Sequence, residues 1–144
     1  MRIGVPKEVK THEYRVGLVP QSVRELVARG HGVLVEHDAG AGIGARDAEY
    51  RAAGASIADT AGEIYAQAEL IVKVKEPQPV ERRQLKPGQV LFTFLHLAPD
   101  PGQAKDLIAS GAIAIAYETV TSEAGGLPLL APMSAVAGRM ATQV

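Results

Sequence analysis

The 144-residue sequence contains no cysteine, no tryptophan and no asparagine. Without cysteine there is no disulfide framework, no thiolate nucleophile and no cysteine-ligated zinc. The missing asparagine and cysteine fit a heat-adapted source and GC-rich codon usage equally well. No apolar run approaches the roughly 18 residues that a membrane helix requires, so no membrane partner is expected. Residues 1–10 are charged and hold no apolar core, which argues against a secretory signal and for a cytoplasmic location. The formal net charge is only −1, with 15 Lys and Arg against 16 Asp and Glu. Such a balance argues against nucleic acid as a partner.

What is present is ordinary for a globular chain: 47% hydrophobic and 22% charged residues, with no repeat and no low-complexity tract. At this length about two thirds of the unfolded surface can be buried, within a single domain.

Apolar segments alternate with amphipathic ones. Residues 2–5, 33–35, 70–74, 90–95 and 112–117 read as strands, the last of them as a buried one. Between them lie helical patterns. One opens at Pro20, carries Val23, Leu26 and Val27 on one face and closes at Gly30. A short one spans about 47–53 and is closed by Gly54. Thr60 and Glu63 form a capping box for a helix reaching Gln67. Residues 80–85 form a further short helix. Asp100 caps, and Pro101 opens, a helix that carries Ala104, Leu107 and Ile108 and stops at Gly111. From Pro132 the chain is helical again, with Val136 and Met140 on one side. Gln143 and Val144 give no stop signal, so this helix is expected to continue to the end of the chain. Strands separated by helices predict an α/β fold with a doubly wound, mostly parallel sheet.

In such a sheet ligands sit beyond the carboxyl ends of the strands, so polar residues just past each strand are the candidates. The polar segment 7–15 after the first strand ends in Arg15. Lys75 follows strand 70–74, His96 follows strand 90–95 and Glu118 follows strand 112–117. Arg, Lys and His together suit a small 2-oxo acid. A guanidinium grips a carboxylate through two parallel hydrogen bonds. An ammonium polarises a carbonyl oxygen. An imidazole exchanges a proton near neutral pH. Each residue also has a plainer reading. Lys73 and Lys75 with Glu76 fit the charge pattern of an edge strand. His96, between Leu95 and Leu97, fits a satisfied core histidine, and Arg15 fits a solvated loop charge. His12, His31 and His37 form no pair at metal-ligand spacing, so no metal is expected.

The stretch GAGIGA at 40–45 matches G-x-G-x-x-A, and Asp59 lies at a suitable distance for a ribose contact. Its context is wrong for a dinucleotide. Residues 37–39 separate it from the strand and the helix after it is very short, so it reads as a structural turn.

Seven stretches, in order, carry a family resemblance: MRIGVPKE (1–8), EYRVGLVP (13–20), EHDAGAG (36–42), VKVKEP (72–77), FTFLHLA (92–98), AYETV (116–120) and LAPMS (130–134). They cover nearly the whole chain. In them the sequence resembles the N-terminal part of the alanine dehydrogenase/pyridine nucleotide transhydrogenase family, on its alanine dehydrogenase side. The resemblance implies a reversible NAD-dependent oxidative deamination of L-alanine to pyruvate and ammonia. It implies that Arg15 and Lys75 bind the carboxylate and carbonyl of pyruvate, and that His96 is the acid/base catalyst. It implies that Met133 and Ser134 border the nicotinamide end of NAD, and that the enzyme is a homo-oligomer, often a hexamer. Phe94 stands where the family often has Tyr, which removes a hydroxyl donor near His96.

The resemblance also places the glycine loop in the substrate domain and the dinucleotide turn beyond Val144. The implied layout is therefore a substrate domain over 1–130 and the start of an interdomain helix over 131–144. The NAD-binding Rossmann domain would be absent from this chain, which alone would be inactive. Two alternatives stand beside this: the N-terminal region of a nicotinamide nucleotide transhydrogenase, and a stand-alone 2-oxo acid binding module. A saccharopine dehydrogenase is a more distant rival. Transhydrogenases lack a His in the 92–98 stretch, so His96 favours the dehydrogenase.

Overall fold

A computed structural model describes residues 1–141. The expected run of the last helix through Gln143 and Val144 lies outside the described residues. The chain begins with a strand, β1 (Arg2–Val5), whose apolar residues are stopped by Pro6. It continues through α1 (Pro20–Ala28), β2 (Gly32–Glu36), α2 (Asp47–Ala52), β3 (Ser56–Ala58), α3 (Ala61–Gln67), β4 (Leu70–Val72), α4 (Pro79–Arg82), β5 (Val90–Thr93), α5 (Pro101–Ser110), β6 (Ile113–Ala116) and α6 (Ala131–Met140). The helix starts follow local chemistry. The Thr60 hydroxyl accepts from the Glu63 N–H at 3.3 Å, and Asp100 accepts from the Gln103 N–H at 2.9 Å. Each such cap contributes about 1 kcal/mol.

The six strands form one sheet in the order β3-β2-β1-β4-β5-β6. Every pairing is parallel. The chain therefore starts in the middle of the sheet, builds outward to β3, and then returns to add β4 on the other side of β1. Alternate residues along the strands feed two apolar clusters. Ile3, Val5, Val33 and Val35 pack with Val23 of α1 and Tyr50 of α2. Ile71 and Leu91 pack with Ile64 and Tyr65 of α3 and Leu107 of α5. Helices on both faces of a parallel sheet make this the doubly wound architecture that the alternation predicts.

Three elements depart from expectation. β3 carries one large apolar residue, Ile57, too little for a pattern to register. β6 is an edge strand and not a buried one: Ile113 and Ile115 are 55% and 41% exposed, while Ala114 and Ala116 pack on the core. Its Ile-Ala alternation is apolar on both faces, so hydropathy does not reveal which face is covered. The reverse holds at Lys73. β4 is flanked by β1 and β5, and Lys73 is only 2% exposed. The Lys-Val-Lys pattern is therefore not an edge-strand device. Among the described residues no helix is long and apolar enough to cross a membrane.

Candidate functional site

The strand order reverses between β1 and β4. Open α/β sheets bind ligands at such a point. The tail of β4 is anchored from three directions. The Val74 N–H donates to Glu8 Oε1 at 2.7 Å, from the segment after β1. The Tyr117 hydroxyl, just past β6, donates to the Val74 carbonyl at 2.6 Å. The Thr93 hydroxyl of β5 donates to the Lys75 carbonyl at 2.7 Å. Burial pushes the Tyr117 phenol up to about 12, which keeps it a donor at neutral pH. Lys75 thus leaves a backbone held by three neighbouring segments.

Beneath it lies a buried charge cluster. Lys73 Nζ sits 3.0 Å from Glu8 Oε2 and 2.8 Å from Glu81 Oε1, with all three side chains at most 2% exposed. The Tyr65 hydroxyl donates to Glu81 Oε1 at 3.3 Å, and the Gln78 N–H donates to Glu81 Oε2 at 2.7 Å. Burial raises the Glu8 carboxyl above its usual range, against the opposing pull of Lys73.

Arg15 projects from the segment after β1. Its Nε and Nη2 donate to the two carboxylate oxygens of Glu13 at 2.8 and 2.6 Å, and Nη1 points toward Met133 Sδ at 3.7 Å. These hydrogen bonds lower the Glu13 carboxyl and raise the Arg15 guanidinium. One bidentate edge of Arg15 is therefore taken by Glu13. The edge formed by Nη1 and the second Nη2 hydrogen is the one left to grip another carboxylate.

Arg15, Lys75, Phe94, Tyr117, Met133 and Ser134 line one cleft of about 310 Å³, with Leu130 and Ala137 completing its wall. Four of the six residues singled out in the sequence, Arg15, Lys75, Met133 and Ser134, therefore come together, and Glu118 lies outside this cleft. His96 does not line this cleft. It lines a neighbouring cavity of about 280 Å³ with Glu76, Arg82, Asp100 and Gln103. Phe94 joins the two: its ring stacks on the His96 imidazole, with centroids 5.5 Å apart and planes 17° apart, and the Lys75 ammonium lies 5.2 Å from the same ring. His96 is exposed, which sets aside the core-histidine reading.

Sequence reasoning missed Glu13, Tyr117 and the Glu8–Glu81 partners of Lys73. Glu13 had a signal, its place two residues before Arg15. The others are joined to their partners only by the fold.

The glycine loop performs packing. It forms a 3-10 turn over Ala41–Ile43, and a Cβ on Gly42 would overlap the Tyr14 carbonyl, next to Arg15. The loop's nearness to the Arg15 segment is what calls for glycine there.

The fold also gathers His37, Asp38 and Asp47. His37 Nδ1 lies 2.6 Å from Asp47 Oδ2 and Nε2 lies 3.2 Å from Asp38 Oδ2. Both ring nitrogens face carboxylates, so the cluster reads as an ion-paired histidine. The hydrogen bond to Asp47, then the charge of Asp38, raises the imidazole above its ordinary value. Its pairing is complete below pH 6.5 and is lost as pH rises through the raised value. In an NMR titration His37 should therefore deprotonate above its ordinary midpoint, and Asp47→Asn should return it toward that midpoint.

The N-terminal domain model of alanine dehydrogenase/PNT, where PNT denotes pyridine nucleotide transhydrogenase, matches residues 4–137. The chain belongs to the alanine dehydrogenase/PNT family. An alanine dehydrogenase of Halomonas elongata is 57% identical over 143 residues, which cover 99% of this chain and 38% of that protein. Among solved structures, an L-alanine dehydrogenase superposes with a TM-score of 0.94 at 49% identity, covering 99% of this chain and 39% of the other. A transhydrogenase from Sinorhizobium meliloti superposes with a TM-score of 0.77 at 29% identity, over 82% of this chain and 35% of the other. The chain thus spans under two fifths of the length of its alanine dehydrogenase relatives, and matches their fold throughout.

Proposed function

We propose that this chain is the substrate-binding catalytic part of an NAD-dependent L-alanine dehydrogenase. Residues 1–130 serve as the substrate domain, and the helix from 131 leads to the dinucleotide-binding domain of the full-length protein. The observation that carries the reading is the cleft in which Arg15 and Lys75 face one space at the strand-order reversal, beside the Phe94–His96 stack. The Nη1 edge of Arg15 holds the substrate carboxylate. Lys75 donates to the carbonyl oxygen of pyruvate. His96 carries the proton exchanged between the carbinolamine and imine during deamination. NAD suits the remaining wall: Leu130, Met133 and Ala137 offer an apolar surface for a nicotinamide ring, and Ser134 offers a hydroxyl for its carboxamide. A nicotinamide held there by Met133 and Ser134 would supply the hydride-accepting chemistry that oxidation at the L-alanine Cα requires. The enzyme acts as a homo-oligomer, a hexamer by family resemblance, in the cytoplasm. The close match to named alanine dehydrogenases and the presence of His96 support this over the transhydrogenase reading.

The test is steady-state kinetics on the full-length protein, following NADH oxidation with pyruvate and ammonium. Wild type should turn over. Lys75→Ala should cut kcat/KM for pyruvate by about a hundredfold or more, the scale of losing one charged transition-state donor. Arg15→Ala should act chiefly by raising KM. Hydride exchange between nicotinamide nucleotides, with no dependence on pyruvate or ammonium, would point to a transhydrogenase. Binding of pyruvate without turnover would point to a binding module.

A further inference from the structure

His96 occupies a backbone position that side chains avoid. Its φ is +47°, in the left-handed region where Cβ crowds the following carbonyl. Something must hold it there, and two side chains from neighbouring elements do so. The Glu118 carboxylate, one residue past the Tyr117 that anchors β4, reaches back to the turn after β5. Its Oε1 accepts the His96 N–H at 3.0 Å and the Leu95 N–H at 3.1 Å. From the other side Gln103 of α5, fully buried, donates through Nε2 to the Leu95 carbonyl. Gln103 is itself held through its N–H by Asp100 at 2.9 Å. The Leu95 peptide is thus gripped at both its N–H and its carbonyl, and Leu95 is only 3% exposed. These contacts set the peptide on the N-terminal side of the His96 Cα, the Asp100 N–H closes the turn on the other side by donating to the Leu97 carbonyl at 3.2 Å, and the ring comes to lie on Phe94.

We infer that Glu118 is a positioning residue for His96: its carboxylate holds the left-handed turn that aims the imidazole along the Phe94 ring toward the substrate cleft. Glu118 lines neither the Arg15–Lys75 cleft nor the His96 cavity. It acts through the backbone of the catalytic residue. A proton-transfer group displaced by about 1 Å loses on the order of a hundredfold in rate. Substrate grip, which resides in Arg15 and Lys75, should stay as it is. The inference rests on the proposed dehydrogenase reading.

The experiment compares wild type, His96→Ala, Glu118→Ala and Glu118→Gln in the full-length protein, with kcat and the KM for pyruvate measured separately. Glu118→Ala should lower kcat by about ten- to a hundredfold and leave KM within about twofold. Glu118→Gln keeps one acceptor oxygen and should recover most of the loss. Amide hydrogen exchange at Leu95 and His96 should quicken in Glu118→Ala and return toward wild type in Glu118→Gln. Should Glu118→Ala fail to fold, Glu118→Asp carries the same kcat expectation, since it draws the oxygens back by one methylene. Three results would each overturn the inference alone: turnover that needs His96 but is unchanged in the Ala or Asp variant, a rise in KM with kcat intact, or a Gln variant as impaired as the Ala variant. Wild type without NAD-dependent activity, or full activity without His96, would overturn the functional reading and this inference with it.

Discussion

Lys73→Met should destabilise the protein by about 3 to 5 kcal/mol at neutral pH, the cost of removing one partner from a buried charge cluster. For a chain of this size that is a fall of roughly 10 to 15 °C in Tm. Methionine nearly matches the volume of lysine, so little of the loss is a packing cavity. The cost is that Glu8 and Glu81, both buried, are left facing each other without the ammonium that lies 3.0 and 2.8 Å from them. Burial already raises the Glu8 carboxyl, with the charge of Glu81 adding to the rise. Losing Lys73 raises it further. A carboxyl raised in the folded state costs nothing well below its ordinary value of 4.5, and the cost grows as pH rises from there and is complete above the raised value. The gap in Tm between wild type and variant should therefore be wider at pH 8 than at pH 5. Thermal unfolding at the two pH values checks this. An equal gap at both would mean that packing, not charge, is what Lys73 supplies.

The largest effect on activity is expected at His96. Full-length protein carrying His96→Ala should lose about a hundred- to ten-thousandfold in turnover, the range of a removed general acid/base. Stability should hardly move, because the side chain is exposed and rests on one ring face. His96→Asn sharpens the contrast. Asparagine tolerates the left-handed region better than histidine, so that variant should be equally inactive and at least as stable as wild type. NADH-coupled kinetics and Tm on the same preparations give both readings. Activity near wild type would remove His96 from the chemistry. A fall of many degrees with activity retained would make it a structural residue.

Much of the architecture was legible from punctuation. Pro20, Thr60, Asp100 and Pro101 open helices, Gly30, Gly54 and Gly111 follow them, and strands with helical patterns between them left a parallel sheet as the natural outcome. Where the pattern lacked contrast, it misled. β6 is apolar on both faces and its exposure depends on what lies beside it. Lys73 is a charged residue inside the sheet, and its partners are 65 residues before it and 8 residues after it, so no local window could pair them.

The site divided in the same way. Arg15, Lys75 and His96 could be nominated together because the carboxyl ends of parallel strands share one rim, and each lies on a segment leaving such an end. What the rim rule omits is orientation. The one arginine edge taken by Glu13, and the stack that sets His96 beside the cleft and not in it, depend on side-chain directions that spacing does not encode.

The left-handed backbone at position 96 also has an evolutionary consequence. Histidine and asparagine codons differ by a single base, and asparagine or glycine relieves the conformational cost there. The step to asparagine would be accepted by the fold. Under the proposed role, use of the imidazole is what would retain histidine there. A lineage that abandoned the chemistry would be expected to show it first at this residue, ahead of any decay in the core.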